Sequence, residues 1–274
     1  MPKPASWIRR HPLVSYFVLA FAITWILLLP LAAGALGWWP YRISPHGHFL
    51  GGLGPLLAAW IVTGTSLGKA GLTEFTGRWR RMSAFWLAVA GLSPLLLFLA
   101  SSLVLRLAGE PWPDFGKLAN PEFANPGWIL GSLLSAVIYG FGEEAGWRGF
   151  ALPRLQSRRG ALAATLVLAV FWALWHAPMF LYRFDFGPGE IVGFFLGLLA
   201  GAVWLTFLYN SSGGSILTVA VWHTAWNAVN IVGMVVSVGV VALMSALVML
   251  AALVIVPVWG PARLSTGAKR TFPE

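Results

Sequence analysis

Long apolar runs broken by short polar segments are the dominant pattern along this chain. Eight runs come close to the ~20 residues that a helix needs to cross a hydrocarbon core. They lie near 14–36, 49–67, 82–107, 128–147, 162–181, 191–209, 215–235 and 236–258. The last two abut, and the turn between them is expected between Gly233 and Gly239. Pro30, Pro55, Pro94 and Pro178 fall in or near the runs, where a kink is tolerated if neighbouring groups satisfy the freed carbonyls. The first run is too long for the apolar region of a signal peptide and reads as an uncleaved first helix. The segment 109–126 is the longest connection and has room for a short surface helix. The expected fold is all-α, a polytopic membrane bundle of about eight transmembrane helices, with residues 1–274 forming a single membrane domain.

Composition agrees. The chain is 58% hydrophobic and 10% charged, with a mean hydropathy of +0.76. A soluble domain is charged at about a quarter of its positions. The net charge of +9 does not point to nucleic acid, because the basic residues sit in short segments between apolar runs. There they set topology and meet lipid headgroups, so the bilayer is the expected partner. With the N-terminus placed in the cytoplasm, Lys3, Arg9, Arg10, Lys69, Arg78, Arg80, Arg81, Arg148, Arg154, Arg158, Arg159, Arg263, Lys269 and Arg270 fall inside. Only Arg42, Arg106, Lys117 and Arg183 fall outside, so an even number of spans with both termini cytoplasmic is expected. Cysteine is absent, which excludes disulfides, thiolate metal sites and a cysteine nucleophile.

A charge at mid-bilayer costs at least ~2.5–3.5 kcal/mol, so polar residues inside the runs carry information. Three groups stand out. In GFGEEAGWRGF, Glu144 and Arg148 share a helix face in the favoured order, while Glu143 points about 100° away. In FWALWHAPMF, His176 lies deep in an apolar run one turn after Trp172. In VAVWHTAWNAVN, His223 and Asn227 stack on one face, and Asn230 continues it. Taken singly, these residues fit an interfacial charge cluster, a core histidine bonded to a carbonyl, and hydrogen-bonding glue between helices. Taken together on three spans, they make an acid/base set around one water, with Glu as proton acceptor and His and Asn holding a developing oxyanion. Two histidines and a carboxylate also make a possible zinc set, Glu143, His176 and His223, although HExxH is missing.

On these residues the chain resembles the CPBP (Abi) family of membrane proteins, which includes the type II CAAX prenyl proteases. The family pattern of EExxxR, F/WxxxH and HxxxN reads here as Glu143-Glu144-Ala-Gly-Trp-Arg148, Trp172-Ala-Leu-Trp-His176 and His223-Thr-Ala-Trp-Asn227. Trp172 replaces the more usual Phe. The resemblance covers 128–235, the expected catalytic core. It implies an intramembrane endopeptidase with a cavity open to the cytoplasmic side, in the cytoplasmic membrane if the source is bacterial. Glu143 would activate water, and Glu144 and Arg148 would shape and charge-balance the site. His176 would position the water or the carbonyl, and His223 and Asn227 would form the oxyanion hole. The substrate would be a peptide or a membrane-anchored protein. No cofactor is required in the metal-free form of this reading, and zinc is the alternative. A bacteriocin-immunity or scaffold protein without activity and a proton- or cation-coupled transporter are the competing functions.

One geometric difficulty is visible in advance. A straight fifth helix starting near Leu162 puts His176 about 20 Å from the inner end, whereas Glu143 would lie much nearer that end. The expected remedy is a fifth helix that begins earlier, near Leu155, and protrudes.

Overall fold

The computed structural model describes residues 4–39 and 45–272, so Lys3 and Arg42 of the charge pattern lie outside the described residues. The helices are α1 (Pro4–Arg10), α2 (Pro12–Ala35), α3 (Leu53–Gly77), α4 (Ala84–Leu107), α5 (Pro126–Gly146), α6 (Leu152–Arg158), α7 (Ala161–Trp175), α8 (Pro188–Ser211), α9 (Ile216–Val236) and α10 (Val238–Trp259). No strand occurs among the described residues. The protein is a polytopic helical bundle, and seven of its helical segments are long and apolar enough to cross a membrane. The eighth expected span, α5, is not one of these seven, because its second half carries Glu143 and Glu144 among glycines. Protein surrounds that half, and residues 142–153 are all buried.

The long helices alternate between two ends of the bundle. At one end, Arg9 Nε donates to the carbonyl of Thr65 (3.0 Å) and Arg78 Nη1 to that of Gly149 (2.9 Å). Here the C-terminal segment also folds back. Lys269 Nζ donates to the carbonyls of Gln156 and Arg159 (2.7 and 2.6 Å), and Asn210 Nδ2 to that of Arg263 (2.9 Å). The Arg154 guanidinium sits between the rings of Phe150 and Phe272, at 3.6 and 3.8 Å from their centroids. At the opposite end, the amide of Asp114 donates to the carbonyl of Val236 (3.1 Å), and His48 meets the hydroxyls of Tyr139 and Tyr182. Arg9, Arg78, Arg154 and Lys269 of the inner set therefore gather at one end, with α1 and the C-terminal segment, whereas Arg148 lies deeper, beside Glu144 and Trp172.

Several local features refine the expected runs. Within α3, Gly68 has φ 64°, a left-handed value natural to glycine, and the span stops there as its apolar run does at Leu67. The last two spans break at Ser237, which is extended and caps α10 by accepting from the amide of Val240 (3.4 Å). The surface helix expected within 109–126 is a short 3-10 turn, Phe115–Ala119.

The expectation about depth is corrected. The fifth span begins at Ala161, after an extended Gly160, and does not reach back to Leu155. The fourth span is the one that lengthens. From α5 the chain stays helical through a π-helical turn, Trp147–Ala151, into α6. Glu143 thus lies fifteen residues before Arg158 and His176 fifteen after Ala161, about 22 Å each at 1.5 Å per residue. The two residues stand at matching depths.

Candidate active site

The site is built where α5 meets its neighbours. Two glycines set how closely they approach. A Cβ on Gly140 would collide with Thr224 and the carbonyl of Ala220, so α9 lies directly on α5. One on Gly142 would collide with the carbonyl of Gly52, in the turn that precedes α3. Small residues at such crossings let backbones approach within a membrane bundle. The π-helical turn follows at once, a distortion found often at functional positions.

Glu144 is completely buried, and one of its oxygens serves two partners while Oε2 has none. Its Oε1 accepts from Arg148 Nη1 (2.9 Å) and from His223 Nδ1 (2.8 Å). Arg148, also fully buried, lies over the Trp172 ring at 4.5 Å. A buried carboxylate that loses its only guanidinium is strongly destabilising, so this pair fixes the local structure. The bond to Nδ1 leaves Nε2 of His223 without a protein partner.

Glu143 is 2% exposed and differently held. Its Oε2 accepts from the indole N–H of Trp147 (3.1 Å) and from that of Trp172. Its Oε1 has no hydrogen bond among the described residues. On α7, His176 donates Nδ1–H to the carbonyl of Trp172 (2.7 Å), which fixes the tautomer and leaves Nε2 an acceptor. The ring of Trp172 lies 6.0 Å from both imidazoles, His176 and His223. Trp172 therefore adjoins four ionisable groups of the site: Glu143 through its N–H, Arg148 through its face, and both histidines ring to ring.

Asn227 lies half-buried one turn after His223 and makes no hydrogen bond among the described residues. Asn230, which the helical spacing placed on the same face, is used elsewhere: its Nδ2 donates to the carbonyl of Trp226 (2.8 Å). Four of the six expected site residues, Glu143, Arg148, His176 and His223, thus surround Trp172, Glu144 joins them through Arg148 and His223, and Asn227 lies one turn further along α9. Two residues went unnoticed in the sequence. Trp147 stands four after Glu143, the same spacing as Glu144 to Arg148, and that spacing was the available signal. Tyr16 of α2 is fully buried against Trp147 and Phe150, and nothing in its own run singles it out.

Among the described residues, no three of His, Asp and Glu come together as metal ligands. In Glu143 and His223, one polar atom of each side chain is already committed to a protein partner.

Comparison with known proteins converges on the same segment. Residues 125–229 match the family described as Type II CAAX prenyl endopeptidase Rce1-like. A CAAX prenyl protease 2 from Methanococcus maripaludis is 31% identical over 102 residues, which cover 35% of this chain and 36% of that protein. The match therefore spans little more than a third of that relative's length. The family segment contains all six site residues, from Glu143 to Asn227. Residues 125–229 of this integral membrane protein are thus similar to the core of the CAAX protease-like family.

Proposed function

We propose that the protein is an intramembrane endopeptidase that cleaves a peptide bond of a membrane-associated substrate with water activated by Glu143. The observation that carries this reading is the division of labour between adjacent carboxylates. Glu144 is ion-paired through Oε1 with Arg148 and His223 and its Oε2 is sealed without a partner, whereas Glu143 forms no salt bridge among the described residues, is oriented through Oε2 by two indoles and has Oε1 unbonded.

The steps follow from the free atoms. A water donates one hydrogen to Glu143 Oε1 and the other to His176 Nε2, which points its lone pair at the scissile carbonyl carbon. As the C–O bond forms, Glu143 takes the proton. The carbonyl oxygen becomes an oxyanion, held by Asn227 Nδ2 and by Nε2–H of a doubly protonated His223. That imidazolium suits the charge balance, because two carboxylates and one guanidinium otherwise leave one negative charge. Glu143 then returns its proton to the leaving nitrogen, the C–N bond breaks, and a carboxylic acid and an amine result. No step requires a metal.

The relative's name supplies a first substrate class, a prenylated CAAX peptide, to be assayed beside an unmodified apolar peptide. By the distribution of positive charge, the end that holds α1 and the C-terminal segment faces the cytoplasm. The test is cleavage by purified protein and by Glu143→Gln. A loss of at least about a hundredfold in kcat is expected, within the range a general base contributes. Equal turnover by the two proteins would end the role of Glu143.

A further inference from the structure

A second polar feature lies at the end of the bundle opposite the C-terminal segment. A cleft of about 270 Å³ is lined by His48, Trp128, Ser132, Ser135, Arg183 and Ile231 among others. Its wall is firmly built. His48 is 5% exposed, and its ring is bonded on both nitrogens, to the hydroxyl of Tyr182 (2.5 Å) and to that of Tyr139 (2.9 Å). Tyr139 also donates to the carbonyl of His48 (3.0 Å). The backbone of Arg183 is pinned by its amide, which donates to the carbonyl of Met179 (2.8 Å). The donors facing the cleft, in contrast, are uncommitted. Among the described residues the Arg183 guanidinium forms no ion pair, although Asp185 and Glu190 follow it in the chain, and the hydroxyls of Ser132 and Ser135 make no hydrogen bond.

We propose that this cleft anchors a carboxylate of the peptide substrate, with the Arg183 guanidinium as the cation and the Ser132 and Ser135 hydroxyls as further donors. The assignment rests on the peptidase reading above. A guanidinium offers donors only, and the adjacent hydroxyls can each donate beside it, so the set suits an oxyanion. Position favours a peptide over a lipid headgroup. The cleft lies between α5 and α9, the helices that carry Glu143 and His223. Along α5, Ser132, Ser135, Tyr139 and Glu143 follow one another on one face, and on α9 Ile231 stands one turn beyond Asn227. Ser135 and Glu143 are eight residues apart, about 12 Å along the helix, a span that a few extended residues cover at ~3.3–3.6 Å each. A chain lying along this seam with its scissile bond at Glu143 brings its leaving end to Arg183.

The experiment reads binding, so that it does not depend on turnover. The full-length protein is placed in nanodiscs of phosphatidylcholine. An apolar fluorescein-labelled peptide is then titrated in two forms that differ only at the C-terminus, free acid or amide. The free acid is expected to bind about tenfold more tightly, the scale of one charge-assisted pair. Arg183→Gln should bring the ratio close to one, and Arg183→Lys should restore part of it. Equal binding of acid and amide to the wild type overturns the proposal, as does a ratio that survives Arg183→Gln. A dependence on Arg183 that emerges only when phosphatidylglycerol is added, and does not distinguish acid from amide, also overturns it and marks a headgroup site. Should the acid preference hold while neither peptide is cleaved, the peptidase reading fails and the anchor stands.

Discussion

Trp172 donates its indole N–H to the carboxylate of Glu143, joining α7 to α5 at the depth where both helices carry the polar groups of the site. This bond, with a second from Trp147, holds Oε2 and leaves Oε1 without a hydrogen bond among the described residues. Pre-orientation of this kind lowers the cost of bringing a base to its water.

Replacing Trp172 by Phe removes the donor and keeps a ring beneath Arg148. One net hydrogen bond of about 0.5–1.5 kcal/mol is lost, so kcat is expected to fall about two- to tenfold with little change in KM. The effect stays modest because Trp147 still holds Oε2, which also explains how a site of this pattern can work with the more usual Phe. Steady-state kinetics of the variant check this, and a loss of a thousandfold would contradict it.

Glu144 makes a different prediction, because it is ion-paired with a buried guanidinium. Glu144→Gln leaves the fully buried Arg148 without its counter-ion. Removing one partner of a buried pair costs about 3–5 kcal/mol, so a marked loss of thermal stability in detergent is expected. The double variant Glu144→Leu, Arg148→Met removes both charges together and should recover most of that stability while remaining inactive. A single variant as stable as the wild type would show that the pair does not hold the fold.

Much of this architecture was legible in the chain, for physical reasons that also explain the rest. Apolar runs of about twenty residues marked the membrane-spanning elements because a helix of that length satisfies its own backbone across lipid, and α4 came out within two residues of the run at 82–107. The fourth span was misjudged at its inner end because Arg148 reads as the water boundary. Its charge is in fact cancelled by Glu144 and covered by Trp172, so the helix continues for a further ten residues. The i, i+4 spacing found Glu144 with Arg148, but it also suggested Asn230, whose amide turns back to its own helix. Spacing fixes which face a residue occupies, whereas its partner depends on the neighbouring helix. For the same reason Trp172 could be noted as an aromatic one turn before His176, but not as the group that bridges to Glu143.

Asn227 offers the sharpest separation of function from structure. It is half-buried and bonds to no protein group among the described residues, so its removal deprives the fold of nothing except side-chain volume. If its amide holds the developing oxyanion, Asn227→Ala should lower kcat by about 10²–10³, the usual effect of losing one such donor. KM should change little, because a ground-state carbonyl is held less tightly than the oxyanion. Thermal stability should stay within about 0.5 kcal/mol of the wild type, as for substitutions that break no buried contact. Asn227→Asp provides the control: it keeps the shape but replaces the donor with a negative charge, so it should be at least as inactive. Kinetics and melting curves on the same preparations decide the matter. An Asn227→Ala protein that melts early would make the residue structural, and one that cleaves at the wild-type rate would remove it from the reaction.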